Sequence, residues 1–198
     1  MSLTDSIPPE PRMALEGLVG VLNARKTKYA LVGGLAVGVR GLVRATQDVD
    51  LLLAVPQVEL PRLLESLADR GFQLDLHKSI AAWNREHLLD FSFGPVRVDW
   101  IKAVIPAFQR ILERARWENL GGVRVCVADA EGLLLLKLIA FRARDQEDIR
   151  GILAANPRAL DLDWVRQQWS ELSTADDPRT EQFEHMIKDF HDSLPPLN

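Results

Sequence analysis

The chain has 198 residues, 47% of them hydrophobic and 26% charged, with a formal net charge of −4. This length supports one large domain, or one domain with a helical appendage, around a sizeable core. The composition excludes a global nucleic-acid charge signature; a single cysteine, Cys126, excludes an internal disulfide; and no run approaches the ~18 apolar residues of a membrane-spanning helix.

The opening Met-Ser-Leu-Thr-Asp-Ser lacks the basic and apolar segments of a signal peptide. A reducing cytoplasm and no membrane partner are therefore expected. Residues 1–11 are polar and proline-rich and are expected to form a flexible tail. Apolar residues at Met13, Leu15, Leu18, Val21 and Leu22 mark a helix over 12–25. A strand over 28–32 runs into Gly33-Gly34, a short helix follows over 35–39, and 48–55 reads as a strand closed by Pro56. Residues 60–70 are amphipathic and stop at Gly71, and 72–76 is expected as a brief strand. Two alternating runs, 88–93 and 96–101, flank Gly94-Pro95 as a hairpin. A helix over 105–116 and a second hairpin around Gly121-Gly122 follow, with Cys126 on its returning strand. Helices are then expected over 130–144, 145–155, 161–172 and 178–194. Mixed elements first and helices afterwards give an α+β class. The expected organisation is a core over 12–128 and a helical region over 129–198 packed on it.

Carboxylates carry the strongest chemical signal. On a strand, residues two apart share a face, so Asp48 and Asp50 project together, their β-carbons about 6–7 Å apart. Parallel carboxylates at that spacing repel unless a cation lies between them, and Mg²⁺ suits because it takes few protein carboxylates and completes its shell with water and phosphate. Asp99 repeats the pattern: Val96, Val98 and Trp100 share the apolar face of their strand and Asp99 lies on the other. Three such carboxylates could serve two Mg²⁺ or Mn²⁺ ions, with Asp99 orienting or deprotonating a nucleophile. The alternative is that Asp48 begins the strand and Asp50 is simply solvated. Upstream, a strand entering glycine and then a helix exposes N–H groups that bind phosphate, although tight-turn packing also explains Gly33-Gly34.

The string Val32-Gly-Gly-Leu-Ala-Val-Gly-Val-Arg-Gly-Leu-Val-Arg-Ala-Thr-Gln-Asp-Val-Asp-Leu-Leu52 resembles the first motif of the nucleotidyltransferase superfamily built on the DNA polymerase β palm. The Gly-Gly and Arg-x-Thr-x-Asp-x-Asp-Leu flavour is similar to the AbiEii-type toxins. The resemblance implies a nucleotidyltransferase fold, a mixed β-sheet flanked by helices with a C-terminal helical region. It makes Gly33 and Gly34 the phosphate-binding turn and Asp48, Asp50 and Asp99 the metal ligands. It also brings Arg44 and Thr46 near the phosphates, where a loop arginine and a turn-forming threonine are the plain alternatives. Many superfamily members carry serine where Gly34 stands, so here that contact falls to backbone amides. An acceptor such as tRNA or protein, and a cognate antitoxin, are implied in the same way.

Lys137 sits in Leu133-Leu-Leu-Leu-Lys-Leu-Ile-Ala-Phe141, apolar on nearly every face. A lysine there snorkels to water or meets an anion, either a triphosphate or a carboxylate; the AbiEii-type resemblance favours the nucleotide. Asp145 and Asp148 read as residues of the next helix's first turn, or as site residues. The sequence thus points to a Mg²⁺-dependent enzyme moving a nucleoside monophosphate from an NTP to a hydroxyl. Its rivals are an inactive binding module of the same fold and an antibiotic-modifying transferase. An acidic acceptor pocket would favour the latter, and a basic one built from Arg40, Arg97, Lys102 or Arg114 would favour RNA.

Overall fold

A six-stranded mixed sheet, in the order β3-β4-β2-β1-β6-β5, organises the first part of the chain. The computed structural model describes residues 7–41 and 46–193. Elements run α1 (Pro9–Ala24), β1 (Lys28–Val32), α2 (Gly33–Arg40), β2 (Val49–Ala54), α3 (Leu60–Ala68), α4 (Leu76–Arg85), β3 (Leu88–Phe93), β4 (Val96–Lys102), α5 (Pro106–Arg114), β5 (Arg116–Leu120) and β6 (Val123–Val127). The helices α6 (Ala130–Ala140), α7 (Ala143–Ala155), α8 (Leu162–Ser170) and α9 (Pro178–Ser193) follow. The architecture is α+β.

The described residues fall into two compact units, 7–36 with 46–128 and 37–41 with 129–193. In the first, β2 lies between β1, antiparallel to it, and β4, parallel to it. Its run Leu51-Leu52-Leu53 is fully buried, which is the signature of a central strand covered on both faces. Leu15, Leu18 and Leu22 of α1 and Leu60, Leu63, Leu64 and Leu67 of α3 bury their apolar stripes in the same core. Trp83 of α4 meets Trp100 of β4 edge-on, with ring centroids 6.0 Å apart.

The second unit is helical. Asp129 caps α6 by accepting a hydrogen bond from the Gly132 amide at 2.9 Å. Phe141, in the left-handed region at φ 48°, ends that helix. Arg166 of α8 makes a two-pronged bond to Glu184 of α9 at 2.7 and 2.8 Å, and Trp169 donates to Thr180 at 2.9 Å.

Several boundaries differ from the sequence reading. α1 begins at Pro9, inside the segment expected to be loose, because prolines in the first helical turn lose no hydrogen bond. Residues 72–76 form no strand; Gln73 makes only an isolated bridge to Ser92. Helix α4 takes Leu76 from that expected strand and residues 77–85, left unassigned by the pattern, and is capped by Asp75 accepting from the Lys78 amide at 3.0 Å. Its buried positions are Ser79 and Trp83, too few apolar side chains to show a helical period.

Leu52→Ala is expected to destabilise the protein by about 2–5 kcal/mol, because the sheet around it cannot close the void. Urea unfolding of the full chain measures this, and a loss well below that range would show that β2 is not packed on both faces.

Candidate active site

Strand β1 ends at Val32 and α2 begins at Gly33 with no linking residue. Gly33 makes the break with φ +64°, where side chains other than glycine's are strained. A second constraint acts on the same atom: a β-carbon there would lie 1.9 Å from Oδ2 of Asp50. The Asp50 carboxylate is therefore held against the start of α2, where the N–H groups of a first helical turn have no acceptors within the helix. Strand pairing brings this about, since Val32 of β1 lies opposite Asp50 of β2.

The pairing continues across the sheet. Asp50 lies opposite Asp99 on β4, and Asp99 opposite Asp90 on β3. Residues paired in this way share a face, so Asp50, Asp99 and Asp90 form a row across adjacent strands. Asp48 is exposed and stands just ahead of β2 rather than within it, close enough for its charge to act on Asp99. Arg97, two residues along β4, donates from Nε to Oδ1 of Asp99 at 2.9 Å. Burial pushes the Asp99 carboxyl above its usual range, Arg97 pulls it back, and the charges of Asp90 and Asp48 raise it further. Beside Asp90 and Arg97 a cleft of about 430 Å³ opens at the sheet edge, with Asp75, Lys78, Ser79 and Gln73 also in its wall.

The donor set is all carboxylate oxygen, which suits a hard divalent cation. Among the described residues no group of three or more His, Cys, Asp or Glu is arranged as a closed metal cage. Mg²⁺ does not require one, because it is commonly held by one or two carboxylates together with substrate phosphates. Asp48 and Asp50, beside a helix start able to receive phosphate, fit that mode of binding.

The family described as nucleotidyltransferase of unknown function, DUF6036, matches residues 15–193. The chain belongs to this nucleotidyltransferase family. Solved structures agree on the fold. An antigenic nucleotidyltransferase-like protein from Paracoccidioides brasiliensis is 17% identical over 90% of this chain and 92% of its own, with a TM-score of 0.52. The antibiotic-resistance factor ANT(2'')-Ia is 11% identical over 91% and 97%, with a TM-score of 0.55. The lincosamide antibiotic adenylyltransferase LnuA, solved with lincomycin bound, is 14% identical over 74% and 97%, with a TM-score of 0.51. No curated protein matches the chain.

Of the residues singled out from the sequence, Gly33, Asp48, Asp50 and Asp99 gather at one end of the nucleotidyltransferase sheet, and Gly34 is buried in the first turn of α2. Thr46 is half-buried ahead of β2, and Arg44 lies outside the described residues. Asp90 escaped the sequence reading, although counting back from the Gly94-Pro95 turn places it opposite Asp99.

Lys137 finds its anions within the helical unit: Nζ lies 3.0 Å from Asp145 and 2.7 Å from Asp148, with all three side chains buried. Asp145 also accepts from the Arg142 amide at 3.1 Å and from Arg142 Nε at 2.8 Å. It thus closes the first turn of α7, one of the two roles the sequence allowed it, and binds the lysine as well. The buried charge of Lys137 is thus compensated by two carboxylates.

Gly33→Ala is expected to destabilise the chain by more than the ~1–2 kcal/mol of left-handed backbone strain alone. Asp50→Ala, by removing the carboxylate, should relieve part of that loss, giving a coupling of at least about 0.5 kcal/mol in a double-mutant cycle; strict additivity would contradict the contact. Lys137→Ala, which leaves two buried carboxylates, should cost about 3–5 kcal/mol, whereas Lys137→Met with Asp145→Asn and Asp148→Asn, which removes all three charges together, should cost less than the three single losses added. Burial opposes ionisation of Asp145, but the Arg142 and Lys137 hydrogen bonds outweigh it and hold the carboxyl below its usual range. A depressed folded value stabilises above the ordinary carboxylate range, and the benefit disappears as pH falls through it. Urea titrations from about pH 7 to about pH 3 should therefore show a steeper loss for wild type than for Asp145→Asn; equal slopes would remove Asp145 from the acid response.

Proposed function

We propose that this chain is an active enzyme that transfers a nucleoside monophosphate from an NTP to an acceptor hydroxyl. The pairing of Asp50 with Asp99, with Asp50 fixed against Gly33, carries the reading: it sets carboxylates and helix-start amides side by side at one end of the sheet. Gly33 and Gly34 would let the triphosphate approach the backbone, with Thr46 and Arg44 flanking it. Asp48 and Asp50 would hold Mg²⁺ or Mn²⁺, with Asp99 adjoining. When bound, the cation neutralises phosphate charge and makes the acceptor hydroxyl more acidic. Asp99, oriented by Arg97 and raised in proton affinity by burial, would take the hydroxyl proton. The hydroxyl oxygen bonds to the α-phosphorus, the bond from that phosphorus to its bridging oxygen breaks, and pyrophosphate leaves. Catalysis is then chiefly positioning and electrostatics.

The acceptor remains to be chosen between two readings. The AbiEii-type motif supports tRNA or protein, in the setting of a toxin with a cognate antitoxin. The cleft at Asp90, whose wall carries Asp75 together with Lys78 and Arg97, presents both signs of charge and supports a small polar acceptor. The antibiotic adenylyltransferase LnuA, which shares the fold, adds to this second reading.

Incubation with Mg²⁺ or Mn²⁺, α-labelled NTPs and separate pools of RNA, protein and aminated small molecules tests both. The expected outcome is label transfer to one pool, reduced at least about 10²-fold in Asp50→Ala. Absence of transfer to any pool, or equal transfer by the variant, would contradict the enzyme reading.

A further inference from the structure

The strands β1 and β6 pair at a single position, Leu31 with Val127. Towards the start of β1 the ladder gives way, and the Tyr29 side chain takes up the gap: its hydroxyl donates to Asn23 at 3.1 Å and accepts from the Cys126 amide at 3.4 Å. A cleft of about 520 Å³ opens there, a volume suited to a small organic ligand. It lies at the Lys28 end of β1, which pairs with Ala54, while Val32 at the other end pairs with Asp50. Four residues of strand, about 13 Å, therefore separate it from the carboxylate row.

The chemistry of its wall is the reverse of that at the carboxylates. Lys26, Lys28 and Arg124 line it and no carboxylate does. Among the described residues these three cations make no ion pair, in a chain whose net charge is −4. Trp117, on the edge strand β5, is 53% exposed. Its ring stands edge-on to Tyr29 at 6.3 Å, and the Arg124 guanidinium lies 5.0 Å from its centre. A large aromatic left half in water beside uncompensated cations is the arrangement that takes a planar base by stacking and its phosphate by charge.

We propose that this cleft is a second binding site, for a nucleotide unit, with the base on Trp117 and the phosphate on Lys26, Lys28 and Arg124. The unit can come from a free nucleoside monophosphate or from a residue of a single-stranded RNA. The site is separate from the proposed transfer site and does not depend on it.

Cys126, the only cysteine of the chain, lies in the cleft wall and is half-buried, so its rate of modification by a thiol-reactive dye reports occupancy. The full chain is titrated with AMP, with an eight-nucleotide single-stranded RNA, and with pyrophosphate as a base-free control. AMP or the RNA should protect Cys126, and the one that does so at lower concentration identifies the source. Trp117→Ala should weaken protection at least about fivefold, with Trp117→Phe restoring part of it. Lys28→Gln with Arg124→Gln should weaken it further. Asp50→Ala should leave it unchanged, which separates this site from the carboxylates whether or not the chain transfers nucleotides. Far-ultraviolet circular dichroism checks that each variant is folded. Absence of protection by either nucleotide ligand, protection by pyrophosphate equal to that by AMP, or unaltered protection in folded Trp117→Ala would overturn the proposal.

Discussion

The close approach of the Asp50 carboxylate to Gly33 governs the end of the sheet at which the transfer site is proposed. A β-carbon at position 33 would fall 1.9 Å from the carboxylate oxygen, and the backbone there has φ +64°. Both facts demand glycine. They also tie three separate elements together: the end of β1, the start of α2 and the second position of β2. Once Val32 pairs with Asp50, the parallel pairing of β2 with β4 delivers Asp99, and the β3–β4 hairpin delivers Asp90. The carboxylate row follows from strand register. A shift of one residue would turn every carboxylate to the opposite face.

Much of this was legible in the sequence. The run over 48–55 was readable as a strand, and the alternation around Asp99 placed it away from the apolar face. The Gly94-Pro95 turn identified the hairpin. What the sequence could not display was proximity between distant residues. The fit of Gly33 against Asp50 depends on antiparallel pairing of strands separated by a helix, and local periodicity holds no information about it. Asp90 is, taken locally, one polar position in an alternating strand, and only the hairpin register sets it opposite Asp99. The helix over 76–85 was invisible because it buries a serine and a tryptophan rather than a stripe of aliphatic residues.

Lys137 shows how a sound physical premise leaves its answer open. A lysine in a nearly all-apolar helix must be compensated. The sequence allows water, a triphosphate or a carboxylate as its partner, and Asp145 and Asp148 supply two carboxylates from the next helix. The side chain most suggestive of phosphate thus has its charge satisfied internally, whereas Lys26, Lys28 and Arg124 of the first unit make no ion pair among the described residues. The carboxylate row, with Arg97 bonded to Asp99, lies at the end of β1 and the aromatic, cationic cleft at its beginning.

At the proposed site, Asp48 and Asp50, with Asp99 adjoining, would hold a divalent cation together with a triphosphate. Titration of Mn²⁺ into the full chain with a non-hydrolysable NTP, followed by electron paramagnetic resonance of the free ion, measures it directly. Asp50→Asn keeps the size of the side chain beside Gly33 while removing its charge. Mn²⁺ should bind wild type and bind the variant at least about tenfold more weakly. No binding by wild type, or equal affinity in the variant, would contradict the account.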